Sequence, residues 1–280
     1  MIIIRVCGGL GNQLFQYALY KKLDSLGKDV YIDRHMYGNE KKEKRAYCLE
    51  TLTDPVRYCS ERDRKKLSNN DDNRYTWFIQ RRVGLKESHY YEKEWSFFDR
   101  DLYSLDNVYL EGYWQNEKYF ADIREDIIDS LHFNIPDDAV HLSKEIESCV
   151  SVSIHVRRGD YINQDLYDNI CTPDYYERAV QYIEKCANVD KFYIFSDDIW
   201  WCKEHFADNG KYVFMPARPE NEAAVDMKLM SLCKHNIIAN SSFSWWAAWL
   251  NENTGKTVIA PDIWLMGHES DIYCNNWIRL

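Results

Sequence analysis

Apolar and polar positions alternate in two ways along this chain. Beyond about residue 147, short apolar runs rich in β-branched and aromatic residues ("CVSVSIHV", "KFYIFS", "KYVFM", "NIIAN", "TVIAP") are separated by longer mixed stretches ("TPDYYERAVQYIEKC", "DIWWCKEHF", "ENEAAVDMKLMSLC", "SFSWWAAWLN"). The short runs predict strands and the longer stretches predict helices, Thr172 capping one of them with Pro173 at its first position. Such alternation indicates βαβ units around a parallel sheet. The N-terminus shows the same unit once: a strand from Ile2 to Cys7, the turn "GGLG", a helix from about Asn12 to Leu26 and a second strand, "KDVYID". Leu14, Tyr17, Ala18 and Leu26 give that helix its apolar stripe, and Gly27 is placed to end it. Between Arg34 and about Glu94 the pattern dissolves into charged, turn-rich sequence such as "NEKKEKR" and "SNNDDNR", read as an insertion of short helices and loops. The expected fold is α/β, with two Rossmann-like domains facing a cleft: residues 1–147, carrying the insertion, and residues 148–280.

Composition narrows the function classes. The net charge of −10 argues against a general affinity for nucleic acid or anionic membranes, while leaving room for a local basic pocket that takes a small anion. No apolar run approaches the roughly 20 residues that cross a bilayer, and "MIIIRVCGGLGNQ" reads as an opening strand rather than a signal peptide. The nine cysteines contain no Cys-x-x-Cys pair, which fits reduced thiols and a cytoplasmic location better than a disulfide framework.

In open parallel sheets, ligands bind at the carboxyl ends of strands. Four polar clusters fall there: "GGLGNQ", "HVRRGD", "FSDD" and "NSSFS". Arg157 and Arg158 close an apolar strand with planar donor forks suited to a diphosphate, and Gly159 permits close backbone approach. The bland alternative is an inter-domain salt bridge. Recognition of Arg158-Gly159-Asp160 by an adhesion receptor would need an exposed extracellular loop, which a strand end does not supply. "NSSFS" opens a helix, so Ser241 and Ser242 with the helix N–H groups can hold an anion, or Asn240 or a serine simply caps it. Trp245, Trp246 and Trp249 on that helix are read as core rather than a sugar platform. In "FSDD", Asp197 or Asp198 can accept from the adjacent donors of a guanine edge, cap the next helix, or hold a metal ion, which the arginines and serines make less necessary.

"GGLGNQ" matches part of a dinucleotide fingerprint at Gly9 and Gly11, with Leu14 where the third glycine belongs and Asp33 about twenty residues on. A dinucleotide-dependent oxidoreductase is therefore the second hypothesis, and a non-catalytic nucleotide-sugar or glycan-binding protein the third. Asn12 and Gln13 open the helix and can reach substrate, unless Asn12 is its N-cap. Cys202 with His205, and Cys233 with His235, do not assemble four zinc ligands.

Taken together, "GGLGNQLFQYA", "SIHVRRGDY", "FSDD" and "DMKLMSLCKHNIIANSSFSWWAAWLN" resemble the α-1,2-fucosyltransferase family, glycosyltransferase family 11, in a short bacterial-type form. The resemblance runs to about Pro261. It implies a GT-B fold, GDP-fucose bound mainly by the C-terminal half, and inverting transfer to the 2-hydroxyl of a terminal galactose on an oligosaccharide or glycolipid. It also implies no metal and no cofactor beyond the donor substrate, and it involves neither nucleic acid nor a transmembrane segment. Peripheral association with the cytoplasmic membrane face is left open. By position, Arg157 falls on the donor diphosphate, His155 near the nucleoside, Asp197 on guanine, Ser241 and Ser242 on phosphate, and Asn12 near the transferred sugar. Gln13, Arg158 and Phe243 complete the expected substrate-binding set. Asp160 and Asp165 lie just past the arginines as candidate bases, Asp165 matching a glutamate base of a related α-1,6 family by ungapped spacing.

Overall fold

A computed structural model describes residues 1–38, 43–69, 86–206 and 210–280. They belong to two compact units, Met1–His132 and Phe133–Leu280.

The first unit is built on β1 (Ile2–Arg5), β2 (Val30–Asp33), β3 (His89–Tyr91) and β4 (Val108–Glu111), all parallel in the order β2-β1-β4-β3. The three isoleucines of β1 are buried on both faces, as a central parallel strand requires. Helix α1 (Leu10–Ser25) buries most of its length against this sheet. It starts two residues earlier than predicted, with Gly9 rather than Asn12 at the N-cap. Gly27 ends it at φ +73°, its N–H donating to the Asp24 carbonyl at 2.9 Å. Gly8 sits at φ +80°, and a Cβ there would come within 2.6 Å of Asn12 Nδ2, so this turn needs glycine on both counts. The insertion contains the short helices α2 (Leu49–Leu52) and α3 (Glu61–Leu67) together with β3. β3 was not read as a strand because it lies within charged, turn-rich sequence without a regular alternation around it. Part of "NEKKEKR" and most of "SNNDDNR" lie outside the described residues. Helix α4 (Arg124–Asp129) closes the unit.

The second unit opens with α5 (Asp137–Ser148), which the expected boundary at 147 would have left in the first. The division falls earlier because α5 is tied forward. Asp138 receives Arg218 at 3.1 Å, and Glu145 accepts from Lys191 at 2.7 Å and from the Tyr193 hydroxyl at 3.0 Å. The sheet is parallel throughout, ordered β10-β9-β8-β5-β6-β7. Its strands are β5 (Ser151–Val156), β6 (Lys191–Ser196), β7 (Tyr212–Phe214), β8 (His235–Ile237), β9 (Val258–Ala260) and β10 (Ile278–Arg279). The two-residue edge strand β10 carries no sequence signal and lies beyond the span of the family resemblance. Helices α6 (Pro173–Cys186), α7 (Ile199–His205), α8 (Ala223–Leu232) and α9 (Ser242–Leu250) supply the crossovers.

All six residues of β5 are buried, so its two serines need internal partners: Ser151 Oγ donates to the Ile146 carbonyl and Ser153 Oγ accepts from Asn236. Val152, Ile154 and Val156 pack with Tyr175, Tyr176 and Phe192, each fully buried aliphatic side chain contributing about 1.5–3 kcal/mol. Trp245, Trp246 and Trp249 are buried in the core, and Trp245 Nε1 donates to the Ile272 carbonyl at 2.7 Å. Among the described residues, no helix is long and apolar enough to cross a membrane.

Candidate functional site

The site begins where β5 leaves the sheet. Its backbone turns away at Arg157, and Asp197, at the end of neighbouring β6, captures the turn. Asp197 accepts from the N–H of Arg158 at 2.9 Å and of Gly159 at 3.1 Å, one carboxylate oxygen for each. A Cβ on Gly159 would come within 2.9 Å of Asp197 Oδ2, so the close approach this glycine allows is to a carboxylate. Arg157 reaches the same Asp197 through Nη1 (3.0 Å) and Asp160 through Nη2 (2.7 Å). Burial disfavours its charge, but the Asp160 hydrogen bond and the nearby carboxylates outweigh burial and raise its pKa above the ordinary value. Arg158 pairs with Asp198 (3.2 Å) and lies over the Trp201 ring, 4.5 Å from its centroid. Asp198 also caps α7 by accepting from Trp201 N–H at 3.1 Å. Two adjacent acids thus hold two adjacent arginines within one unit, where the bland reading had imagined a bridge between domains.

A cleft open to solvent lies beside them; Arg157, Arg158, Tyr161, Tyr167, Trp201 and Asn240 are among the residues lining it. Tyr161 stacks on Tyr167 with ring centroids 4.6 Å apart, and Arg157 stands 5.7 Å from its ring. Its hydroxyl donates to the Asn240 carbonyl at 3.2 Å and also bonds the Ser241 side chain. Asn240 is buried, its amide donating to the Trp264 carbonyl. Ser241 then caps α9, accepting from Phe243 N–H at 3.3 Å. Tyr161 therefore joins the arginine turn to the serine-bearing helix end, which starts at Ser242.

His155, one step back on β5, is 6% exposed, with its ring 5.4 Å from that of Phe243. Burial, reinforced by the charge of Arg157, lowers its pKa to about 3, so the imidazole is neutral near pH 7. Its buried Nδ1 has no hydrogen-bond partner among the described residues. An orphan of this kind costs about 1–3 kcal/mol.

Arg157, Arg158, Asp160 and Asp197 therefore converge, and Ser241, Phe243 and His155 are linked to them through Tyr161, Asn240 and ring contact. Asp165 stands on an exposed turn outside the cleft lining. Asn12 and Gln13 belong to the first unit. Asn12 Oδ1 accepts from Gln115 at 2.8 Å. Gln13 is fully buried, donating to the Gly8 and Ala46 carbonyls and accepting from Cys48 N–H, so it fastens the 46–48 loop to the glycine turn. Tyr161, Tyr167, Trp201 and Asn240 were not singled out from sequence as site residues. Tyr161 adjoins the arginine motif, but no local pattern shows a tyrosine turning back toward residue 240. Asp33, the acid a dinucleotide fingerprint would place on a ribose, is buried with both oxygens occupied by His35 and Tyr109. Among the described residues, no group of three or more His, Cys, Asp or Glu side chains is disposed to hold a metal ion. All nine cysteines are free thiols.

Two Rossmann-like parallel units, with arginines and a hydroxyl-bearing helix end at strand carboxyl ends, place the fold in the GT-B class of glycosyltransferases. The same fold occurs in the crystal structure of NodZ α-1,6-fucosyltransferase soaked with GDP-fucose (TM-score 0.55, 17% identity, 95% of this chain and 97% of that one). It occurs also in POFUT1 in complex with GDP-fucose (TM-score 0.51, 13% identity, 92% and 97%). The chain belongs to glycosyl transferase family 11, whose signature matches residues 64–280. An α-1,2-colitosyltransferase of Escherichia coli is 33% identical over 100% of this chain and 99% of its own length. The O-antigen biosynthesis glycosyltransferase WbnK of the same organism is 32% identical over 98% of each chain. Galactoside α-(1,2)-fucosyltransferase 2 of Oryctolagus cuniculus is 25% identical over 94% of this chain and 71% of its own length.

Proposed function

We propose that this protein is an inverting, metal-independent α-1,2-fucosyltransferase that moves fucose from GDP-fucose to the 2-hydroxyl of a terminal galactose. The observation that carries this reading is Arg157, held at the end of β5 by Asp160 and Asp197 on the wall of a cleft it shares with Asn240. Breaking the bond between fucose and GDP develops negative charge on the leaving diphosphate and oxocarbenium-like charge on the sugar. A guanidinium already oriented by carboxylates meets that charge without reorganisation, so its interaction strengthens toward the transition state. Ser241 and the N–H groups of α9 add donors, and the orphaned His155 Nδ1 is available to the nucleoside. In this reading the donor belongs to the C-terminal unit and the acceptor to the N-terminal one, and the free thiols suit the cytoplasm.

The decisive assay incubates the protein with GDP-fucose and a β-galactoside, with and without EDTA, and determines the product linkage. Expected is GDP release that requires the galactoside, persists in EDTA and yields an α-1,2 product. GDP release independent of acceptor, or product linked elsewhere, rejects the reading. A colitosyl donor is the second reading, favoured by the 33% identical relative named for that sugar, and competition between the two donors decides it.

A further inference from the structure

A diphosphate bound by the C-terminal unit, the reading on which this inference rests, is met from two sides: by the arginine turn that follows β5 and by the helix end that follows β8. The two strands are parallel neighbours, Val152 standing opposite His235 and Ile154 opposite Ile237, so their carboxyl ends lie side by side. The ladder between them ends at those residues, and another contact must fix the turn relative to the helix end.

Tyr161 makes that connection with three parts of itself. Its backbone N–H donates to the Arg158 carbonyl at 2.9 Å and closes the arginine turn. Its ring flanks the Arg157 guanidinium, whose carbon lies 5.7 Å from the ring centroid. Its hydroxyl donates to the Asn240 carbonyl at 3.2 Å and bonds the side chain of Ser241, the residue before α9 begins. Burial raises its pKa above the ordinary value, so the hydroxyl keeps its proton well beyond neutral pH. Both ends of the connection are anchored in turn. Tyr167 stacks on the Tyr161 ring, the planes inclined by 22°. Asn240 is buried, its amide donating to the Trp264 carbonyl at 3.2 Å and its Oδ1 accepting from the Cys171 thiol at 3.5 Å. Tyr175 is the contrasting case: its hydroxyl also meets a strand-end carbonyl, that of Ile238, yet it is buried in the core, whereas Tyr161 and Tyr167 line the cleft.

We infer that Tyr161 is a positioning residue that holds Arg157 and the N-terminal end of α9 at the spacing a diphosphate requires. Asp160 and Asp197 fix the direction of the Arg157 guanidinium, but neither reaches residue 240. Tyr161 supplies the missing distance, since its backbone belongs to the turn and its hydroxyl is bonded 79 positions further along the chain. A clamp whose halves are already spaced meets the leaving charge without reorganisation. Halves that move separately must be brought together by the ligand, at a cost in affinity and in rate.

The test uses the full chain and begins with equilibrium binding of GDP and of guanosine to the wild type. Absence of GDP binding overturns the proposed function and this inference with it, while the remaining failures overturn this inference alone. Tyr161→Phe keeps the ring and removes only the hydroxyl. It is expected to weaken GDP about tenfold, with the unfolding midpoint kept and guanosine, which has no phosphates to clamp, within about twofold of wild type. In an Arg157→Ala background the same substitution is expected to cost less than about twofold, because spacing matters only while both halves are present. Tyr167→Leu, which removes the ring packed on Tyr161 but leaves its hydroxyl, is expected to weaken GDP about threefold, again sparing guanosine. Wild-type GDP affinity in a folded Tyr161→Phe, an equal loss for guanosine, or an undiminished loss beside Arg157→Ala overturns the assignment. If Tyr161→Phe does not fold, Tyr167→Leu decides, and unchanged GDP affinity in that variant overturns it.

Discussion

The two units treat polar groups at their strand ends differently. In the N-terminal unit Asp33 is shared by His35 and Tyr109 and Gln13 is consumed by three backbone groups, whereas Arg5 pairs with Glu111 through Nη1 and leaves its buried Nε without a hydrogen-bond partner among the described residues. In the C-terminal unit the polar groups close on one another only in part. Asp197 and Asp198 grip the arginine turn, yet Arg157 meets its two carboxylates through Nη1 and Nη2 while a guanidinium carries five N–H donors, and His155 Nδ1 is buried with no hydrogen-bond partner among the described residues. A satisfied network gives rigidity, whereas a half-satisfied one beside a cleft keeps binding capacity for a ligand. On the proposed reading the C-terminal unit is the one that takes an anion, because its unused donors stand at Arg157 beside the cleft.

The comparison can be broken most sharply at Arg157. Arg157→Ala is expected to lose about 3–4 kcal/mol of transition-state stabilisation, a few hundred-fold in kcat/KM, with its unfolding midpoint kept. The fold survives because Asp197 still holds the N–H groups of Arg158 and Gly159. Near-normal turnover would remove the distinction between the units.

A smaller effect should appear at His155. Its folded pKa of about 3 lies below the ordinary value near 6.5, so the unfolded chain binds more protons between those limits, and stability present above pH 6.5 is lost as pH falls. By pH 5 the loss from this residue is about 2 kcal/mol. His155→Gln should shrink the stability difference between pH 7 and pH 5 by that amount in denaturant unfolding. An unchanged difference would mean that the ring is not held neutral.

The smallest effect is expected in the N-terminal unit. Gly8→Ala forces a left-handed φ on alanine and crowds Asn12, costing about 1–2 kcal/mol of stability. GDP affinity should be unchanged in calorimetry. Weakened GDP binding would show that the glycine turn serves the donor after all.

Local rules made much of this legible. Thr172 and Pro173 announced α6, Gly27 the end of α1, and the alternation after residue 147 the parallel sheet, because each depends on neighbours a few positions away. The arginine and serine motifs were visible because permanent charge and hydroxyls at strand ends break an apolar pattern. β3, β4 and β10 escaped because, unlike the equally short β7, β8 and β9, they lie outside the regular strand–helix alternation, and the unit boundary escaped because side-chain contacts of α5 set it rather than the sequence near 147.

The amino-acid order by itself determined the first strand–helix–strand unit, the alternation after residue 147 and which residue types reach the carboxyl edge, since backbone periodicity, capping and turn chemistry act over a few residues. Only the tertiary structure decided what those residues touch. Asp197 holds the turn 39 residues before it, Tyr161 reaches Asn240 across 79 positions, and Tyr109 crosses 76 to orient Asp33. Such pairings come from the register of parallel strands and the packing of whole elements, which no local pattern contains.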